Sequence, residues 1–178
     1  MNIVIINGAP QVGKDTFVNF CKNLSQPNFR VFKFSTVDLL KEISKKYFYW
    51  NGEKTPISRK FLSDFKNLVT DFNDVPLKYC LDRIEKVKEE IITAGESTDK
   101  TVIFIMTREP EEIDKFKKIL KYPVYTLAIR NEEIEKQPQS NSADINALNY
   151  TYDFVINNNG TLTELNMVAI QFLSNFWN

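Results

Sequence analysis

The sequence predicts an α/β fold, a parallel sheet carrying helices on both faces. Three observations predict it. Short apolar runs alternate with amphipathic stretches, the pattern of strand–helix–strand crossovers. The first run, Asn2–Asn7, is nearly all β-branched, as a strand buried on both faces requires. A glycine-bearing turn then leads straight into a helical pattern.

Each element follows from its own residues. After the first strand, Phe17, Phe20, Cys21 and Leu24 recur at helical spacing, and residues 30–34 form the second strand. The stretch from Asp38 to about Gly95 is largely helical and unusually long for one crossover. Within it Ser58 is expected to cap a helix whose Phe61, Leu62, Phe65, Leu68, Val69 and Phe72 make one apolar stripe. Pro76 is expected to start another helix, carrying Leu77, Leu81, Ile84 and Ile91. Thr101–Met106 is the third strand, and Pro110 opens a helix with Ile113, Phe116, Ile119 and Leu120 inward. Residues 124–129 form the fourth strand. The polar stretch 130–149, with Pro138, Ser140, Asn141 and Ser142, reads as a lid. Residues 153–157 form the fifth strand. Thr161-Leu162-Thr163-Glu164 then fits a capping box before a last helix with Leu165, Val168, Phe172 and Phe176 on one side.

Composition narrows the chemistry. The 178 residues suit one domain, 1–178, with a core that needs no disulfide or metal staple. Lysine plus arginine equals aspartate plus glutamate at 23 each, so the chain lacks the basic excess of a nucleic-acid polymer binder. There is no histidine, which excludes His-ligated zinc, Ser-His-Asp triads and Cys-His nucleophiles. Cys21 and Cys80 are far apart and read as buried small hydrophobes in a reducing compartment. No run approaches 18 apolar residues and no signal pattern opens the chain, so a cytoplasmic protein without a membrane partner is expected.

The turn after the first strand carries the chemistry. Gly8-Ala9-Pro10-Gln11-Val12-Gly13-Lys14-Asp15-Thr16 satisfies G-x-x-x-x-G-K, with the hydroxyl one place later than usual. Glycines let the backbone wrap a phosphate so that successive amides point inward, and the following helix presents its positive end to the same anion. Lys14 adds a charge that can follow the β- and γ-phosphates. Asp15 stands where most such loops place the serine or threonine that holds Mg²⁺. Two readings of it stand together: a metal ligand, with Thr16 on the α-phosphate, and a first-turn carboxylate satisfying the helix dipole.

The loop resembles that of the nucleoside monophosphate kinases. Gly8-Ala9-Pro10-x-x-Gly13-Lys14-x-Thr16 is similar to the adenylate-kinase loop, and Gly13-Lys14-Asp15-Thr16 to phage-type deoxynucleoside monophosphate kinases. Phe34-Ser35 with Asp38 and Lys41, Trp50-Asn51-Gly52 with Ser58-Arg59, and Arg108 with Pro110 and Glu112 resemble segments of that second group. The segment from Asp153 through Asn157 and Gly160 to Leu165 resembles the closing segment of several P-loop kinases, dephospho-coenzyme A kinase included, where the backbone lies beside the adenine of ATP. The resemblance implies a P-loop kinase fold with strand order 2-3-1-4-5 and an acceptor-binding helical insertion at about 36–95. It also implies a lid at about 130–149, and transfer of the γ-phosphoryl of ATP, with Mg²⁺, to a (deoxy)nucleoside monophosphate. In related kinases the third strand often ends in a metal-holding aspartate; here Met106 stands there, with Asp15, Glu109 and Glu112 as the nearby substitutes.

Phosphoryl transfer asks chiefly for cations around three phosphates and for water exclusion. The arginines are five: Arg30, Arg59, Arg83, Arg108 and Arg130. Arg108 and Arg130 follow strands at their carboxyl ends, where open α/β sheets place ligands, and are the candidate catalytic cations beside Lys14. For Arg108 the alternative is an ion pair with Glu112. Arg59 and Arg83 are candidates for the acceptor, against plain solvated helix positions, and Arg30 reads as structural. Lys41 is a candidate for the acceptor phosphate, and Asp38 for its base or sugar or simply for a helix start. Trp50 and its aromatic neighbours Tyr47, Phe48 and Tyr49 either stack a base or belong to the core. The expected ligands are small-molecule nucleotides, and a homodimer is one assembly open to the chain. Two competing functions are a nucleotide-binding sensor without catalysis, and a kinase of another small phosphorylated metabolite.

Overall fold

The computed structural model describes residues 1–26, 29–107, 109–136 and 150–176. Arg108 and most of the expected lid, including Pro138, Ser140, Asn141 and Ser142, lie outside the described residues. The elements are β1 (Asn2–Asn7), α1 (Lys14–Asn23), β2 (Arg30–Ser35), α2 (Asp38–Tyr47), α3 (Pro56–Asn73), α4 (Val75–Thr93) and β3 (Thr101–Met106). They continue with α5 (Pro110–Ile119), β4 (Val124–Arg130), α6 (Glu132–Glu135), β5 (Phe154–Asn157) and α7 (Leu162–Ser174). The five strands pair in parallel in the order β2-β3-β1-β4-β5, as expected.

β1 lies in the middle because both of its faces are apolar. Ile3 and Ile5 point to one core, with Ile103, Ile105, Leu77, Cys80, Ile84, Ile113 and Phe116. Val4 and Ile6 point to the other, with Phe17, Val18, Cys21, Phe104, Leu127, Ile129, Leu165 and Phe172. Each large side chain so buried contributes about 2 kcal/mol. Phe17 meets the Phe104 ring at 6.2 Å and the Phe172 ring at 5.6 Å, both nearly edge-to-face. α1 and α7 are thereby tied to the sheet directly beneath the loop that follows β1.

The insertion between β2 and β3 is helical throughout its core, but two of its details differ from the sequence expectation. Thr55 caps α3, not Ser58: its Oγ1 accepts from Ser58 N at 3.1 Å, and Pro56 opens the helix with its φ already set. The apolar stripe is also only half used. No residue of α3 is buried; Phe61 and Phe65 pack against Phe48 at 5.4 and 5.8 Å, whereas Leu68 is 67% and Phe72 83% exposed. Tyr47, Phe48 and Tyr49 are likewise exposed rather than part of the core. α4 behaves as expected, with Pro76 in its first turn and Leu77, Ile84 and Ile91 buried. The capping box of α7 is present: Thr161 Oγ1 accepts from Glu164 N, and Glu164 returns a carboxylate oxygen to Thr161 N at 2.6 Å.

Candidate active site

The loop from Gly8 to Thr16 sits at the carboxyl end of β1, the central strand. Gly8 and Gly13 adopt φ of 138° and 97°, where a side chain is strained in any case. Space forbids one as well: a Cβ on Gly8 would collide with the carbonyl of Ile129, and one on Gly13 with the Asn158 carboxamide. Ala9 and Val12 are buried beneath the loop, while Pro10 is half-buried and Gln11 exposed. The amide of Gly8 donates to Asn7 Oδ1 at 2.8 Å. α1 starts at Lys14, and the leading amides of a helix have no intrahelical acceptors, so its first turn is a ready anion site. Lys14 folds back over the loop, donating to the carbonyls of Gly8 and Ala9 at 2.5 and 2.6 Å.

A second segment holds this loop from far along the chain. Asn158 Nδ2 donates to Val12 O at 2.9 Å, and Asn158 N donates to Arg130 O at 2.7 Å. Asn131 Nδ2 donates to Asn158 O at 2.5 Å while its Oδ1 caps α6. The closing segment thus meets the loop through Asn158. Asn157 is exposed at the end of β5, and Gly160 lies against the Glu164 carboxylate of the capping box.

The other expected cations and oxygen donors fall as follows. Arg130 is at the carboxyl end of β4, its guanidinium held by Glu135 at 2.8 to 3.2 Å. Arg30 pairs with Glu96 at 2.5 Å, a structural role. Met106 ends β3 and packs on the core, offering no oxygen side chain. Beyond it, Glu112 accepts from the Thr107 hydroxyl and pairs with Lys66 at 2.8 Å; both side chains of that pair are largely buried, at 12% and 15% exposure. Glu112 therefore fastens α5 to α3.

Asp15 pairs with Lys33 of β2 at 2.8 Å. Burial by itself would raise its carboxyl. The hydrogen bond from Lys33 and the fields of Lys33, Lys41 and Lys14 outweigh that and hold it below the usual carboxylate range. Among the described residues no cluster of three acidic or thiol side chains could cage a metal. Mg²⁺ commonly needs only one or two carboxylates when phosphates complete its shell, so Asp15 and the Thr16 hydroxyl fit a phosphate-shared ion.

Beside the loop, a cleft of about 330 Å³ opens between the end of β2, α2 and α4. It is lined by Lys33, Phe34, Asp38, Lys41, Glu42, Lys45, Tyr79 and Arg83. Four residues expected to meet an acceptor are brought together here: Phe34, Asp38, Lys41 and Arg83. The Arg83 guanidinium lies 5.1 Å from the centre of the Phe34 ring, with its Nε buried and unbonded. Asp38 opens α2 and accepts from Ser35 N at 2.8 Å, while Ser35 Oγ donates to Met106 O at 3.3 Å. Burial and nearby Glu42 push the Tyr79 hydroxyl up, so it remains a donor at neutral pH. Trp50 and Arg59 are not in this lining. Trp50 donates to Glu53 O at 2.9 Å, closing a turn ahead of α3, and Arg59, near the start of α3, donates back to Lys54 O at 3.2 Å. Sequence reasoning missed Lys33, Glu42, Lys45, Tyr79, Asn131 and Asn158. For Lys33 a signal existed, a charge set between Phe32 and Phe34 within β2.

No protein-family model matches the sequence, and no curated protein matches it. Solved structures do. Shikimate kinase from Aquifex aeolicus vf5 matches with a TM-score of 0.53 and 14% identity, covering 98% of this chain and 97% of that one. The structure of APE1195 matches with a TM-score of 0.50 and 13% identity, covering 99% and 96%. An unliganded sugar kinase from Janibacter sp. HTCC2649 gives a TM-score of 0.49 and 14% identity over 98% and 95%. Sheet order, loop and overall likeness agree that the chain has the fold of the P-loop kinases. No helix among the described residues is long and apolar enough to cross a membrane.

Proposed function

We propose that the chain is a phosphotransferase that moves the γ-phosphoryl group of ATP to a (deoxy)nucleoside monophosphate. One observation carries this reading: a single carboxyl edge bears both a rigid backbone cradle for anions and, adjoining it, a cleft with four cations, an aromatic face and a phenol. Gly8 to Thr16 and Lys14 hold the donor phosphates, and the segment from Asn157 to Gly160 borders its base. Lys41 and Arg83 take the acceptor phosphate; Phe34, Ser35 and Asp38 shape the wall. Arg108, by its place in the sequence after β3, and Arg130, on exchanging Glu135 for a phosphate, are the further candidate cations. Asp15 and Thr16 would hold Mg²⁺, which when bound neutralises charge across the β- and γ-phosphates. The acceptor phosphate oxygen is already anionic, so no side chain need remove a proton.

A smaller phosphorylated metabolite is the second acceptor class. The cleft favours it in one respect, because Trp50 stays outside the lining and leaves Phe34 and Tyr79 as the only rings there. ADP release measured over AMP, GMP, CMP, UMP, their deoxy forms, dTMP and a panel of sugar phosphates tests both. Lys14→Ala is expected to weaken triphosphate binding about a hundredfold. Tight ATP binding with no turnover of any acceptor would replace the transferase by a nucleotide-binding module, and unchanged binding in Lys14→Ala would remove the cradle itself.

A further inference from the structure

We propose that Lys33 is a cation of the acceptor site, positioned there by Asp15, so that one ion pair joins the donor loop to the acceptor cleft. This rests on reading the cleft as the place where a phosphorylated acceptor binds.

The strand of Lys33 is the first argument. β2 reads Arg-Val-Phe-Lys-Phe-Ser, with Val31 and Phe34 buried in opposite cores. β2 is the edge strand of the sheet, where a lysine is tolerated, and Lys33 there has a specific anion beside its ammonium. Its Nζ lies 2.8 Å from Asp15 Oδ1, and the pair is partly open to solvent, Lys33 being 27% and Asp15 69% exposed. Lys33 also lines the cleft, which gives it the access a ligand cation needs.

The second argument is the unusual loop. A carboxylate where loops of this kind carry a hydroxyl would repel the donor phosphates on its own. Lys33 meets one of its oxygens, Oδ1, and shares the offsetting of its charge with the Mg²⁺ that Asp15 would hold. The third is the charge of the cleft. In the lining Lys33, Lys41, Lys45 and Arg83 outnumber Asp38 and Glu42; Asp38 accepts from the Ser35 amide and lies 3.8 Å from Lys41, and Asp15, outside the lining, pairs with Lys33. Lys33 is thus the lining cation tied directly to the phosphate loop.

The test uses the full chain saturated with a non-hydrolysable ATP analogue, titrated with inorganic phosphate. Lys33→Met is expected to weaken phosphate binding about tenfold while leaving the analogue affinity within about twofold, and Lys33→Arg to restore most of it. In the Asp15→Asn background the same Lys33→Met change should cost less, because the ammonium is no longer aimed. With an accepted substrate, Lys33→Met raises the acceptor KM, an effect that simple loss of stability would not produce. Equal phosphate affinity in wild type and Lys33→Met overturns the proposal, as does a wild type whose loaded form takes no phosphate. Absence of turnover with phosphate binding intact and Lys33-dependent would instead remove the transferase reading and leave this site standing.

Discussion

The two subsites of the carboxyl edge are built by opposite means. The cradle proposed for the triphosphate is main chain: its glycines are fitted against the Ile129 carbonyl and the Asn158 carboxamide, and Ala9, Val12 and Phe17 are buried in and beneath it. The cleft proposed for the acceptor is lined by long side chains reaching from β2, α2 and α4, and the neighbouring α3 buries no residue at all. A triphosphate tail is the same in every donor, so fixed amides suffice for it. An acceptor differs from enzyme to enzyme, and flexible side chains can be exchanged around it without disturbing the sheet.

That contrast can be broken by substitution, beginning with the largest effect. Phe17→Ala should lower the unfolding free energy by about 4 kcal/mol in urea titration, because two rings and the sheet lose their packing. Gly8→Ala should cost about 3 kcal/mol, since φ and the Ile129 carbonyl both oppose a side chain. Lys66→Met should cost about 2 kcal/mol, leaving Glu112 with only the Thr107 hydroxyl. Phe72→Ala, on the exposed end of α3, should stay within about 0.5 kcal/mol. A large loss from Phe72→Ala, or a small one from Phe17→Ala, would erase the distinction between the two regions.

The thiols sharpen it in a different way. Burial pushes Cys21, under the cradle, and Cys80, on α4, up to about 12 from an ordinary 9.0. Between those values the unfolded chain binds fewer protons than the native one, so stability falls as pH rises from about 9 to about 12. At about pH 8 both thiols are protonated and enclosed, and Ellman's reagent should label neither until denaturant is added. Labelling of Cys80 but not Cys21 in the folded chain would show that the helical side opens by itself.

Legibility in sequence follows the same division. The loop from Gly8 to Thr16 was readable because a backbone wrap demands fixed residue types at fixed spacing. The sheet was readable because β-branched runs leave few alternatives. Asn158 was not, since nothing local marks a carboxamide that will meet Val12 from 146 positions away. Lys45 and Tyr79 were not, because where a flexible side chain ends depends on how α2 and α4 pack; Lys33 stood out between two phenylalanines, but nothing in the sequence paired it with Asp15. The cap of α3 was misplaced by three residues, as Thr55 and Ser58 offer the same hydroxyl and only Pro56 decides between them. Trp50 and Arg59 matched a segment pattern, yet neither reaches the cleft lining: Trp50 closes a turn ahead of α3, and Arg59 donates back to Lys54 O.

The grip of Asn158 on Val12 also bears on how the molecule is made. The loop leaves the ribosome long before the residue that clamps it, and β1 must wait for β3 and β4 to flank it. A partly synthesised chain therefore carries every loop residue before the carboxamide that clamps Val12 O exists, so the loop takes its final form only after β4 and β5 have joined the sheet.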